Sequence, residues 1–263
     1  MRLIDSHCHV NADRFADDAE LVVGVARLAG LERILVPGWN VASCARALDL
    51  VERVPWLDAA VGVHPHDAAK VDDAGWEQIR TWATDDRVVA IGETGLDYDR
   101  VFSPIPDQLT NLRRNLRLAA DLGRPVILHC RSAAHRRDAQ DALLAEVTAM
   151  GPSRPPVVIH SFSGPVDYAQ AMLDLGAAIS FSGLVFRTGE ESSAAVATIV
   201  PLDRLLVETD SPFLAPPGAP RSRNEPAYVE ITARWVAACR DITTDALGDA
   251  LVEVYDRTFR PGP

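Results

Sequence analysis

The chain has 263 residues and carries 26 Lys and Arg against 37 Asp and Glu, a formal charge of -11 at pH 7. With 48% hydrophobic and 24% charged residues its composition is globular, which excludes the disordered and fibrous classes. The acid excess excludes a broad basic coat for duplex DNA, so a phosphodiester substrate would need a local cation patch or a bound metal.

In chain order, short apolar runs alternate with longer Ala-, Leu-, Arg- and Glu-rich segments, the rhythm of βα units. Strands are predicted at 3–9 (LIDSHCH), 33–38 (RILVPG), 59–64 (AAVGVH) and 88–93 (VVAIGE). Four more follow at 125–130 (PVILHC), 156–161 (PVVIHS), 177–182 (AAISFS) and 204–210 (RLLVETD). Between them, residues 16–30, 42–54 and 106–123 show helical spacing of apolar positions and end on Gly or Pro breakers. Eight such units fit a (β/α)8 TIM barrel in a single domain spanning 1–263. A doubly wound open sheet is the rival. The barrel is preferred because His7, His9, His64, Glu93, His129, His160 and Asp210 all fall at or just beyond predicted strand ends, which a barrel gathers at one mouth. The Pro-rich stretch 211–226 is expected to be a long βα loop over that mouth, and the glycines of GETG (92–95) are expected to form a tight turn.

The four cysteines, Cys8, Cys44, Cys130 and Cys239, form no CxxC pair, which argues against a zinc finger or a secreted disulfide scaffold. The opening MRLIDSHCHVNAD lacks a secretory signal, and no apolar run approaches the roughly 20 residues of a bilayer span. A cytoplasmic protein with no membrane partner is expected.

The chemistry is carried by imidazoles and carboxylates. Alternation along an extended segment puts Asp5, His7 and His9 on one face and sends Ser6 and Cys8 to the other, so two rings can grip one cation. Glu93, His129, His160 and Asp210 each end an apolar run, where a buried polar group needs a partner. Together they can hold two divalent ions, with Glu93 as the bridge. Ions about 3.5–4 Å apart can activate a water and stabilise a departing oxygen. His64 is assigned to substrate contact or proton transfer, and His66 to holding its loop. Arg131, at the rim, offers its guanidinium fork to a phosphate oxygen. Asn224, in the Arg223–Glu225 run, is taken as a substrate contact. Cys8 and Cys130 are expected behind the site as small apolar residues.

The motifs DSHCH, GVHPH, IGETGLDY, PVILHCRSA, VVIHSFSG, ISFSG and LLVETDSPFLAP, followed by SRNEPAYV, run through almost the whole chain. In order and content it resembles the TatD-family metal-dependent deoxyribonucleases within the amidohydrolase-like barrels. The resemblance implies one metal on His7, His9 and Asp210, a second on His129 and His160, and Glu93 bridging them. It also implies His64 and Arg131 near the substrate phosphate, Mg2+ or Mn2+ as activating ions with Zn2+ as a further option, and exonucleolytic hydrolysis of DNA, often from a 3′ end. Four positions depart from the family pattern. Val10 and Asn11 stand where Leu and Asp are usual, Ser132 replaces the Asp of HxRDA, and the usual C-terminal Asn is not evident.

These readings converge on phosphodiester hydrolysis at single-stranded or frayed DNA ends, with Glu93, Asp210 and His64 catalytic. Glu93 and Asp210 would serve the attacking water, and His64 the departing 3′ oxygen. Two alternatives compete. A metal-dependent ester or amide hydrolase, such as a D-aminoacyl-tRNA deacylase, could use the same ligands, and a non-enzymatic protein could keep the barrel for its metal-given stability.

Overall fold

The computed structural model describes residues 1–220 and 222–260. Among them, eight strands form: β1 (Leu3–Asp5), β2 (Leu31–Pro37), β3 (Leu57–Val61), β4 (Val88–Asp97), β5 (Val126–Arg131), β6 (Val157–Ile159), β7 (Ala178–Phe181) and β8 (Leu205–Val207). Each pairs in parallel with the next, in unbroken sequence order. A doubly wound sheet would reverse its strand order partway, and this one does not. The two outer strands meet instead. Ser6 donates its backbone N–H to the Val207 carbonyl at 3.0 Å, and Asp210 donates to the His7 carbonyl at 2.9 Å, so the sheet curls into a near-closed barrel.

The helices are α1 (Ala19–Leu28), α2 (Val41–Arg53), α3 (Asp73–Trp82), α4 (Ile105–Leu122), α5 (Asp138–Ala149), α6 (Val166–Asp174), α7 (Ser193–Ile199), α8 (Val229–Arg240) and α9 (Thr244–Phe259). They cover the outside of the sheet. With both strand faces buried, the strands read as apolar runs rather than as alternating ones. The predicted helices hold to within a few residues because their ends carry real signals. Asn40 caps α2 by accepting the Ser43 N–H at 3.0 Å while Ser43 Oγ accepts the Asn40 N–H at 2.9 Å, and Gly123 ends α4 in the left-handed conformation. None of the helices among the described residues is long and apolar enough to cross a membrane.

Strand lengths differ from expectation in two directions. The predicted strands at 3–9, 59–64, 156–161 and 204–210 leave the regular ladder early, at Asp5, Val61, Ile159 and Val207. Beyond those points single bonds hold the chain as the strands splay at the mouth, such as Cys8 N–H to Leu35 O at 3.0 Å and His160 N–H to Leu128 O at 3.2 Å. By contrast, β4 runs four residues past the predicted 88–93. Gly92 and Gly95 are therefore not turn residues. Gly95 lies inside β4 at φ 139°, opposite His129 on β5, where a Cβ would collide with the His129 carbonyl. The pairing slips between Ile91 and Thr94, and this close approach of two backbones carries Glu93 and Asp97 to the mouth.

Candidate metal centre

Glu93, 3% exposed, stands at the centre of the mouth, and its two oxygens divide the surrounding imidazoles. Oε2 lies 3.3 Å from Nε2 of His7 and 3.3 Å from Nε2 of His9. Oε1 lies 2.8 Å from His160 Nε2, 3.2 Å from His129 Nδ1 and 3.3 Å from His64 Nε2. Asp210 completes the first half, its Oδ1 3.5 Å from His9 Nε2 and 3.9 Å from His7 Nε2. His160 adjoins both halves, since its ring also stacks on His7 with centroids 3.9 Å apart.

The donor set fits divalent cations. The Nε2 atoms of His7 and His9 are 3.1 Å apart and face the same Glu93 oxygen, so at most one proton can sit on their contact. Their Nδ1 atoms are buried without a hydrogen-bond partner among the described residues. Lone pairs thus converge on buried space that hydrogen bonds alone leave poorly served. Among the described residues, three sets of potential ligand atoms each lie within 4.8 Å of one another: His7, His9 and Glu93; His7, His160 and Asp210; and His64, Glu93 and His129.

An outer layer sets which nitrogens face inward. His160 turns Nδ1 to Glu208 Oε1 at 3.1 Å, which leaves Nε2 facing the centre. His129 turns Nε2 to Asp97 Oδ2 at 3.4 Å, leaving Nδ1 inward. Asp97 Oδ2 also faces His66 Nε2 at 2.7 Å, while its Oδ1 accepts the Arg100 N–H at 2.8 Å. His64 follows the opposite pattern. Its Nδ1 accepts the backbone N–H of His66 at 3.1 Å, so the proton of the neutral ring sits on Nε2 and points into the site. His64 thus stands within ligand reach yet is arranged as a proton donor, and His66 holds the loop through Asp97. On the far side of the ligand segment, Asp5 accepts from Thr209 through the hydroxyl at 2.5 Å and the N–H at 2.9 Å, tying β1 to the end of β8.

Burial and neighbours set the charge states. Burial pushes His7 and His64 down to about 4, so both are neutral at physiological pH. Burial alone would raise Glu93, but the imidazoles of His64, His160 and His7 overcome it and hold the carboxylate well below its usual range. For Asp97 the hydrogen bonds from His129 and His66 likewise outweigh burial and lower it. His160 moves upward, because Glu93 and Glu208 outweigh the burial that lowers it. Burial raises Asp210 to about 7 and Asp5 to about 8 in the metal-free protein.

The remaining two expected site residues differ in placement. Arg131 reaches the rim, 45% exposed, with Nε 3.1 Å from Asp99 Oδ2. Asn224 is not open to substrate. It is fully buried and its amide donates to the carbonyls of Thr209 at 2.9 Å and Phe213 at 2.7 Å, so it pins the loop after β8 instead. Two of the departing positions are structural as well. Asn11 donates to the carbonyls of Pro37 and Ser43, and Ser132 accepts the Ala139 N–H at the start of α5. Cys8 and Cys130 are buried, their thiols pushed up by burial, that of Cys130 to about 12. Asp97 and Glu208 went unassigned in the sequence although both lie within the quoted motifs IGETGLDY and LLVETD. Spacing gives no hint that each touches a histidine from another strand.

The chain matches the TatD-related DNase family model over residues 4–260. It is 32% identical to the uncharacterized metal-dependent hydrolase YabD of Bacillus subtilis, covering 98% of this chain and 99% of that protein. It is 37% identical to the 3′-5′ ssDNA/RNA exonuclease TatD of Klebsiella pneumoniae, covering 98% and 97%. Among solved structures, the TatD homolog YJJV of Escherichia coli superposes with a TM-score of 0.88 at 31% identity, covering 100% of this chain and 99% of that one. A β-aspartyl dipeptidase from Fervidobacterium islandicum, at 15% identity and a TM-score of 0.65, shares the barrel alone. The converging ligands and the full-length match together place this chain in the TatD-related DNase family, as a metal-dependent hydrolase of the amidohydrolase-like barrels.

Proposed function

We propose that the protein removes nucleotides from the ends of single-stranded or frayed nucleic acid, DNA among them, with two divalent cations. One would rest on His7, His9 and Asp210, the other on His129 and His160, with Glu93 between them. The observation that carries this reading is the division of the imidazoles between the two oxygens of Glu93. The likeness to the 3′-5′ ssDNA/RNA exonuclease TatD of Klebsiella pneumoniae supports the choice of single strands and of 3′ ends. Mg2+ or Mn2+ suits the carboxylates Glu93 and Asp210, and Zn2+, which imidazole suits, is the further option.

When bound, such cations polarise the phosphoryl oxygens and ease deprotonation of a water. The chain does the rest. Glu93, ionised and held from five sides, keeps its carboxylate oriented at the reacting centre. Asp210 Oδ1, beside His9, is placed to receive a proton from the attacking water. His64 carries its single proton on Nε2, because the His66 N–H occupies its other nitrogen, and so can donate a hydrogen bond to the departing 3′ oxygen. Arg131, at the rim, would leave Asp99 for a phosphate oxygen of the strand. A small, metal-centred mouth reconciles a polyanionic substrate with the net charge of -11.

The test is digestion of single-stranded DNA, duplex DNA and RNA, each labelled separately at either end, by chelator-stripped and metal-reloaded protein. Nucleotide release from single-stranded 3′ ends should return with metal and be absent from Glu93→Gln. Intact strands alongside turnover of aryl ester or aminoacyl-tRNA substrates would overturn the reading.

A further inference from the structure

Among the described residues six large hydrophobic side chains are exposed by more than two fifths; one, Val101, is the aliphatic neighbour of Phe102 at 43%, and the other five stand in two settings. Leu21, Val25 and Leu28 are aliphatic and lie on the outer helix α1. Phe102 and Phe213 are different. They are 60% and 53% exposed, they sit on the loops that follow β4 and β8 at the mouth, and each touches a histidine of the site. The Phe102 ring packs edge-on to His66 with centroids 4.7 Å apart, and His66 shares Asp97 with His129. The Phe213 ring lies 6.2 Å from His9. One ring therefore belongs to the Oε1 half of the cluster around Glu93, and the other to the Oε2 half.

Single exposed hydrophobics are ordinary on a soluble surface. Two aromatic rings, one beside each half of a phosphodiester-cleaving centre, have a use that aliphatic side chains lack. A nucleobase presents a flat face to any aromatic ring, so stacking takes every base without reading its edge, and Phe has no polar group with which to read one. In a duplex those faces are already covered by neighbouring base pairs. We propose that Phe102 and Phe213 are specificity-determining residues that stack on the bases flanking the scissile phosphate, so that the site takes unpaired nucleotides. This rests on the nuclease reading given above and adds the substrate feature that the mouth recognises, which is the open face of a base.

The experiment measures KM and kcat on a single-stranded oligonucleotide and on one whose terminal units are abasic, for the parent protein, Phe102→Ala, Phe213→Ala and Phe213→Tyr. Loss of one stacked base is worth about a 5- to 150-fold weaker interaction. Each alanine variant should raise KM for the base-bearing strand within that range while kcat changes little, and Phe213→Tyr should restore KM. Removing the ring and removing the base should not multiply, since both delete the same contact. Thermal melting of the variants confirms that these exposed changes leave the fold intact. If the parent cleaves strands and the alanine variants match it in KM, stacking is overturned and the nuclease reading stands. If the parent releases nucleotides from neither strand, both fall together.

Discussion

Nδ1 of His160 faces Oε1 of Glu208 at 3.1 Å, and that contact decides which nitrogen of His160 turns toward the metal centre. Both side chains are buried, and Glu208 is held at the mouth by β8 while His160 arrives from the end of β6. Replacing Glu208 with Gln keeps the size but removes the charge that favours the Nδ1–H tautomer. The expected loss is about 10- to 100-fold in metal affinity or activity, the usual effect of changing the partner of a ligating histidine. Competition with a chromophoric chelator measures the affinity, and the 15N shifts of the His160 ring report the tautomer. Unchanged shifts and affinity would show that the contact only packs.

Metal should also stabilise the fold, because His7, His9, Glu93 and Asp210 come from distant parts of the chain and meet only in the native state. A cation at 100 times its dissociation constant contributes about 2.7 kcal/mol. Urea unfolding with and without Mn2+ should show a gain of that order in the parent protein. The same comparison on Glu93→Gln should show most of it gone, since the residue facing both halves of the cluster has lost its charge.

A backbone contact makes Gly95 irreplaceable. At φ 139° and with the His129 carbonyl where a Cβ would stand, Gly95→Ala must separate β4 from β5. The expected cost is about 1–3 kcal/mol of stability, together with weaker metal binding, because the shifted residue is His129. Chemical unfolding gives the first quantity and calorimetric metal titration the second. A variant as stable as the parent would mean that the two strands part without cost.

Far from the mouth, Asp58 on β3 gives a pH signature. It is 5% exposed and accepts Tyr255 Oη at 2.8 Å and Arg260 Nη1 at 3.3 Å. Burial raises its carboxyl above the ordinary value in spite of those donors. The native state therefore binds this proton more readily than the unfolded chain does, so the contribution of Asp58 to stability falls as pH rises from the unfolded carboxylate value, about 3.9, through the raised native one. Asp58→Asn should flatten that limb, and unfolding midpoints between pH 4 and 7 would reveal it. Parallel profiles for the two proteins would sink the assignment.

Much of the site was legible in the sequence because of a simple asymmetry: apolar runs that end in His, Glu or Asp cannot bury those groups without partners. His7, His9, Glu93, His129, His160 and Asp210 announced themselves in that way, and their recurrence at strand ends pointed to a barrel rather than an open sheet. The strand after Ile91 was harder to read, since Gly92 and Gly95 look like turn formers until a second backbone is seen lying against them. Asn224 was misread for a related reason. In an exposed-looking RxRNE run, nothing local shows that its amide closes on the carbonyls of Thr209 and Phe213.

By itself, then, the chain determined the alternation of strands and helices, the ligand types and the order in which they arrive at the mouth, because these follow from local periodicity and from the cost of burying polar groups. Only the tertiary structure decided which nitrogen of each histidine faces inward, that Asp97 and Glu208 enforce that choice, and that Phe102 and Phe213 stand exposed beside the site. The physical reason is that a hydrogen-bond partner or an open ring face is a relation between residues on different strands and loops, and linear spacing carries no information about which of them the closed barrel brings together.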